Sequence, residues 1–425
     1  MTKPARKVLL LAAKIVVAVA LLGWVLSQAS WRDYIQTHDG QTFAFVGTHP
    51  SADAPKSVTG TSGLLWWRTT HTLDASQIKP IEGTEGQPWE QRFVHPGFAS
   101  SLKDLNTALL GVALAGFLAS VLVVAVRWWF LLRIQDIHIR PWEALRLTFL
   151  GNFFNMVVPG TVGGDLVKAY YVCKHTPRKA AVLVSIFVDR ILGLTEMTML
   201  AGAMLLAVLL LGLEDFATLR ASAITVCVVI GIVILAVTFL LSSRFRRALH
   251  VQKIYQRLPI AHHIAAAGDA AKLYRRRLGA LAKAVAITFG AHVVWVGSIA
   301  MIGLALNLSA HGQAVPWYKY FVYIPLIYII GAVPITPGGF GLIEKLYILF
   351  FAPVAPSMVL ALALLARLVP MVWTLPGIVV AITGPKLPKV ATLEAEMAVD
   401  TPSGDGAGDG DATSQRIAVQ EVTTK

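Results

Sequence analysis

The chain has 425 residues, 56% of them hydrophobic and only 14% charged, with a formal net charge of +13 and a mean hydropathy of +0.64. Ordinary globular proteins hold about 45–50% apolar and about 25% charged residues, so soluble enzymes, disordered chains and collagen-like chains are excluded. Two cysteines, Cys173 and Cys227, both in apolar segments, offer no disulfide framework, and basic charge in so apolar a chain points to loops against anionic lipid rather than to nucleic acid.

In chain order, long apolar runs fall at 8–28, 105–126, 180–212, 219–242, 280–306 and 356–383. Each meets the roughly 20 residues that crossing the hydrocarbon core requires. Two further runs, 143–172 and 317–353, are broken by Pro and Gly in the middle, and each half is too short to span. The first run, after Lys3, Arg6 and Lys7, is longer than a typical signal-peptide core and is read as an uncleaved helix over 1–28, a signal peptide being the alternative. The segment Arg244–Lys283 carries ten Lys/Arg and one acid, whereas 29–104 carries six Lys/Arg against eight Asp/Glu. The basic stretch Arg127–Arg140 is read as a loop on the same side as the arm. The positive-inside rule then puts both termini in the cytoplasm and 29–104 outside, in a cell (plasma or inner) membrane. The fold expected is an all-α polytopic membrane protein. It has about six spanning helices and two oppositely oriented re-entrant hairpins, 143–172 and 317–353, within a core over 105–383.

The soluble pieces are small. Segment 29–104 has turn residues, four tryptophans (Trp31, Trp66, Trp67, Trp89) and short runs at Thr42–Val46 and Leu64–Thr69 that read as strands of a small β-rich cap. Its tryptophans suit a core or interfacial belt, or alternatively a sugar- or lipid-binding face, and the segment could take a protein partner. The arm 244–278 has the pattern of a basic helix lying in the interface; it is read first as a merely solvated basic segment, with active recruitment of anionic headgroups as the alternative. His262 and His263 have no third ligand at metal spacing, so no metal or other cofactor is expected. Residues 384–425 read as a disordered cytoplasmic tail.

The informative feature occurs twice. Pro159-Gly160-Thr161-Val162-Gly163-Gly164 and Pro334-Ile335-Thr336-Pro337-Gly338-Gly339 share the pattern P-x-T-x-G-G. An acid and a lysine follow each copy, Asp165 with Lys168 and Glu344 with Lys345. Arg190 then lies 26 residues past Gly164 (190 − 164) and Arg367 lies 28 past Gly339 (367 − 339), each inside an apolar run. Pro ends an incoming half-helix, the glycine pair turns the chain, and the next half-helix begins with its N–H groups aimed at whatever anion sits there. Two such turns from opposite faces would form the inverted repeat of a transporter. Packing turns in an inert bundle are the alternative.

Run 180–212 also carries Asp189, Arg190 and Glu196. Unpaired and central, three charges would cost roughly 8–10 kcal/mol on insertion scales, so they must pair or face water. Asp189 and Glu196 are two turns apart and look the same way, and Arg190 points about 100° off toward another neighbour, with Asp165 a candidate partner. His292 is read as an interhelical hydrogen-bonder rather than a proton relay. No nucleotide-binding, zinc-protease or serine-hydrolase motif is present.

The segments Gly151–Asn155, Val158–Gly160 and Gly163–Asp165, then Ser185 to Asp189–Leu194 and Pro334–Gly341 with Glu344, resemble the lysylphosphatidylglycerol synthase transmembrane-region family, also described as flippase-like membrane proteins. The resemblance runs from about 105 to 383. It implies the lipid-moving part of that family without its aminoacyl-transferase domain, and it maps functional positions to Asp165, Asp189, Arg190, Glu344 and Arg367. The insert 29–104 departs from the family's short first loop. Taken together, the expected activity is translocation of an anionic (phospho)lipid or lipid-linked headgroup between leaflets. The substrate-binding set is Gly163, Gly164, Asp165, Lys168, Asp189, Arg190, Glu196, Gly338, Gly339, Glu344 and Arg367. An integral-membrane transferase acting on a lipid, or a non-catalytic membrane partner protein, are the rivals.

Overall fold

A computed structural model describes residues 16, 19–23, 30–46, 57–62, 69–81, 84–86, 89–103, 105–157, 163–174, 176, 178–241, 273–274, 276–310, 313–333 and 335–383. Most of the expected first helix, nearly all of the basic arm 244–278, the tail 384–425, Pro159 to Val162 of the first motif, Pro334, Trp66 and Trp67 lie outside these residues.

The insert holds a five-stranded antiparallel sheet. Its strands are β1 (Tyr34–Gln36), β2 (Thr42–Phe45), β3 (Ser57–Ser62), β4 (Thr69–Asp74) and β5 (Val94–His95), in the order β4-β3-β2-β1-β5. The strand expected at Thr42–Val46 is β2. The one expected at 64–69 falls mostly outside the described residues, and β4 begins at its last position. Alternation puts Ile35, Phe43 and Val58 on one face, where they meet Ile78 and Trp89 in a small core. Trp89 opens the short helix α1 (Trp89–Phe93), and α2 (Phe98–Lys103) follows. Ser357 Oγ donates to the Pro96 carbonyl at 2.6 Å, and Phe98 and Leu102 pack into the main helical core. The sheet is thereby fastened to the helices.

The helices are α3 (Thr107–Ile134), α4 (Pro141–Val157), α5 (Gly163–Cys173), α6 (Lys179–Leu210), α7 (Phe216–Leu241), α8 (Leu278–Ala305), α9 (Trp317–Gly331), α10 (Leu342–Phe350), α11 (Pro356–Met371) and α12 (Leu375–Thr383). Among the described residues four stretches are long and apolar enough to cross a membrane: Thr107–Ile134, Lys179–Leu210, Leu278–Ala305 and Pro356–Thr383. This is a polytopic, mostly helical membrane protein. The last stretch is α11 and α12 joined through a 3-10 turn at Val372–Thr374. Helix α3 continues past the apolar run that ends at 126 and takes in Arg127, Trp128 and Trp129. Arg127 is therefore not a loop residue, and it is only 5% exposed.

Lipid offers helices no hydrophobic drive to associate, so close approach of small residues and interhelical hydrogen bonds hold them. Helices α3 and α8 pack in this way. Gly116 faces Ser298, and Ser120 Oγ donates across to the Ala291 carbonyl at 3.0 Å. Trp373 Nε1 ties the 3-10 turn to the Leu114 carbonyl at 2.8 Å. Gly377 of α12 lies against the Phe149 backbone of α4. Helices α4 and α5, on either side of the first motif, pack on each other. Their contact needs Gly164, where an added Cβ would land on the Gly151 carbonyl oxygen.

Gly164→Ala should accordingly lower the thermal stability of the purified protein by the equivalent of about 1–3 kcal/mol, the usual cost of overpacking. Gly290→Ala, with no atom near the added Cβ, should leave it unchanged or slightly raised.

Candidate functional site

Among the described residues, the expected charged positions fall into three clusters. In the innermost, the Arg127 guanidinium of α3 reaches two acids on α6. Its Nε donates to Asp189 Oδ1 at 2.7 Å and its Nη1 to Glu196 Oε2 at 3.0 Å. The two-turn spacing of Asp189 and Glu196 makes this possible, since both project from one side of α6. Glu196 is fully buried. Its Oε1 accepts from Thr288 Oγ1 of α8 at 2.5 Å, and its Oε2 lies 2.9 Å from His292 Nδ1. His292 Nδ1 is also 3.0 Å from the Thr288 carbonyl. Both neighbours of that nitrogen are acceptors, so it carries the hydrogen and donates.

The second cluster surrounds the end of the first motif. Asp165, in the first turn of α5, accepts from Arg190 Nε of α6 at 2.6 Å, and Lys168 Nζ stands 3.7 Å from its other oxygen. Asp165 and Lys168 are buried, whereas the Arg190 side chain is 50% exposed. The Lys168 ammonium sits 5.2 Å from the centroid of the Trp128 ring, and the Trp128 Nε1–H is buried without a hydrogen-bond partner among the described residues. Gly164 N–H donates to Asn155 Oδ1 at 2.9 Å, which closes the start of α5 onto α4.

The third cluster surrounds the second motif. Gly338 and Gly339 take φ of 59° and 70°, in the left-handed region where a side chain is strained, which is why glycines end this turn. Glu344, in the first turn of α10, accepts from the Gly341 N–H at 2.7 Å. Arg367 of α11 donates to its other oxygen through Nε at 3.0 Å and Nη2 at 2.8 Å. Arg367 Nη1 donates to the Gly338 carbonyl at 3.0 Å, and the guanidinium lies over the Phe340 ring. The Thr336 hydroxyl is buried with no partner among the described residues.

The expected positions thus fall into three groups: Asp165 with Lys168 and Arg190, Asp189 with Glu196, and Glu344 with Arg367. Gly163 and Gly164 start the helix that carries Asp165, and Gly338 and Gly339 form the turn that Arg367 holds. Arg127 and Thr288 were missed. Arg127 sits at the end of an apolar run beside further basic residues, so its placement in a loop was natural. The signal that could have found it is the need of two same-facing acids for a cation. Among the described residues no group of His, Cys, Asp and Glu could hold a metal ion.

A family model described as the lysylphosphatidylglycerol synthase TM region matches residues 96–377. The chain belongs to that family. All three clusters lie inside the matched span, and the whole sheet, β1 to β5, lies before it. As a member of the lysylphosphatidylglycerol synthase transmembrane-region family, the chain is an integral, multi-pass membrane protein related to lipid handling. No curated protein and no solved structure matches it.

Arg127→Leu should be strongly destabilising, by about 3–5 kcal/mol, because it leaves the fully buried Glu196 and the partly buried Asp189 without their arginine. Thermal unfolding of the purified variant, with Arg133→Leu as an exposed control, checks this.

Proposed function

We propose that this chain moves an anionic lipid headgroup from one leaflet to the other, with the cluster at the first motif as the phosphate-binding station. One observation carries the reading. Asp165, Lys168 and Arg190 together leave one net positive charge, and the arginine is half-exposed rather than sealed. A phosphodiester has the opposite charge, and a guanidinium suits its oxygens through paired hydrogen bonds. The start of α5 adds N–H groups and the positive end of its dipole. Arg190 can then exchange a share of its contact with Asp165 for the phosphate, while Lys168 keeps the carboxylate company.

The second cluster is organised differently. Arg367 directs Nε, Nη1 and Nη2 at Glu344 and the Gly338 carbonyl, so in this conformation its fork is occupied in holding the glycine turn. The two motifs are read as the tips of oppositely oriented re-entrant hairpins. Arg367 is released to a headgroup only when the second tip opens. The insert with its sheet is read as an external cap, and both termini as cytoplasmic.

Reconstitution into liposomes with a fluorescent phosphatidylglycerol tests the reading. Arg190→Lys, which keeps the charge but loses the fork, should reduce lipid transfer at least about tenfold, the equivalent of one lost charge-assisted hydrogen bond, with thermal stability near wild type. Arg367→Lys should instead lower thermal stability. Unchanged transfer in Arg190→Lys would remove the phosphate station.

The orientation has its own check. In a background without Cys173 and Cys227, a cysteine at Thr70 should react with an impermeant thiol reagent from outside and one at His138 should not. Both positions are exposed. Labelling of position 138 from outside would reverse the topology.

A further inference from the structure

A cavity of about 720 Å³ lies where the sheet meets the helices. Its wall is drawn from both sides of residue 96, where the family match begins, so the insert and the core form it together. Alternation along β1 sends Ile35 into the small core of the sheet. Tyr34 and Gln36 turn to the opposite face, which lines the cavity. His95 of β5 pairs with Tyr34 in register and stacks on it, the ring centroids 4.9 Å apart and the planes 13° from parallel. In α1, Trp89 fills the same small core while Glu90 and Gln91 line the cavity. Asn307, from the end of α8, lies on the wall as well. Its φ of 50° ends that helix in the left-handed region, which asparagine tolerates.

The side-chain amides of Gln36, Gln91 and Asn307 make no hydrogen bond among the described residues. Asp33 uses one oxygen to accept from the Gly97 N–H at 2.7 Å. No Lys or Arg is among the described residues of the wall, so a phosphate would meet Asp33 and Glu90 as like charges. An apolar ligand would leave the amides unpaired. Two carboxylates could draw a small cation, but a cation has no use for the amide N–H donors. Hydroxyl groups donate and accept at once, and so match amides and carboxylates together. Burial, and then the nearby Lys79, lowers the His95 pKa from its ordinary value. The neutral ring offers one donor and one acceptor, and its stack with Tyr34 adds a flat apolar surface.

We propose that this cavity binds a neutral polyhydroxylated ligand, a sugar that is either free or carried as a lipid headgroup. The amides of Gln36, Gln91 and Asn307 and the carboxylates of Asp33 and Glu90 hold its hydroxyls, and the Tyr34–His95 pair takes its apolar C–H face. The volume falls within the roughly 300–1,000 Å³ of ordinary small-molecule sites. None of these residues belongs to the three charge clusters, so this site and the phosphate station stand or fall separately.

Saturation-transfer NMR on the full-length protein, in phosphatidylcholine nanodiscs free of glycoside detergent, tests this. The probes are the methyl glycosides of glucose, galactose, mannose and N-acetylglucosamine, and the same sugars on a short-chain diacylglycerol. Saturable transfer to at least one sugar is expected. A response to the soluble form identifies a free-sugar site, and a response to the lipid form alone identifies a headgroup. Gln91→Ala and Asn307→Gly should each weaken that binding about fivefold to tenfold, the loss of one hydrogen-bond partner. Gln91 is exposed and glycine keeps the left-handed turn at 307, so both variants should fold; if one does not, the other decides. Glu85→Gln, exposed and off the wall, should bind as wild type. Silence toward every sugar, or unchanged binding in both variants, overturns the proposal. So does a saturable response to choline with none to the sugars, which would make the cavity a cation site. Lipid transfer is not read here, so none of these results bears on the phosphate station.

Discussion

Two carboxylates on one face of a membrane helix cannot stand without a cation, and the arrangement of this protein follows from where that cation comes from. Arg127 projects from α3 between Asp189 and Glu196, and Thr288 and His292 of α8 close the remaining positions around Glu196. Three long apolar helices are joined at one point by charge-assisted hydrogen bonds. Removing either sign would leave the other buried and unpaired, so the cluster sets the rotation of α6 about its own axis. With Asp189 turned inward, Arg190 must turn to α5. The half-exposed pair with Asp165 is in that sense a consequence of the more deeply buried cluster around Arg127.

The two glycine motifs share a plan and differ in execution. In each, an acid in the first turn of a short helix accepts from an arginine on a longer one: Asp165 from Arg190, Glu344 from Arg367. In the first, the arginine is half-exposed and a lysine adds a second positive charge. In the second, the arginine also holds the Gly338 carbonyl and lies against Phe340, and no net charge remains within the pair. An open cluster beside a closed one is an asymmetry that a strict duplication would not have, and it is what assigns the two motifs different parts in the proposed movement.

Much of this was visible in the residues alone. The apolar runs marked α3, α6, α7, α8 and the α11–α12 stretch to within a few residues, except that α3 runs eight residues beyond its run. The seven-residue spacing of Asp189 and Glu196 and the offset of Arg190 dictated different partners, and the geometry has them. The pairing of Arg190 with Asp165 needed only the demand that buried charges be compensated. Arg127 was hidden because hydropathy cannot distinguish a charged residue that ends a helix from one that a helix carries inward. The distinction lies in the partner's position, which is tertiary. Most strands of the sheet were equally hidden. Ser57–Ser62 is polar and glycine-containing, and it is held by register against β2 and β4 rather than by a pattern of its own.

The adjacency of Asp189 and Arg190 has a mechanical side. The two side chains leave α6 in different directions and are gripped by different bodies, α3 through Arg127 and α5 through Asp165. A helix pinned on two sides at one level behaves as a locked shaft. Turning it would lengthen both grips together, so α6 has no free rotation while both hold. In the proposed movement, displacement would fall to parts that hang from this axle, and the stretch from α9 to α12 is attached to it by packing rather than by those pins.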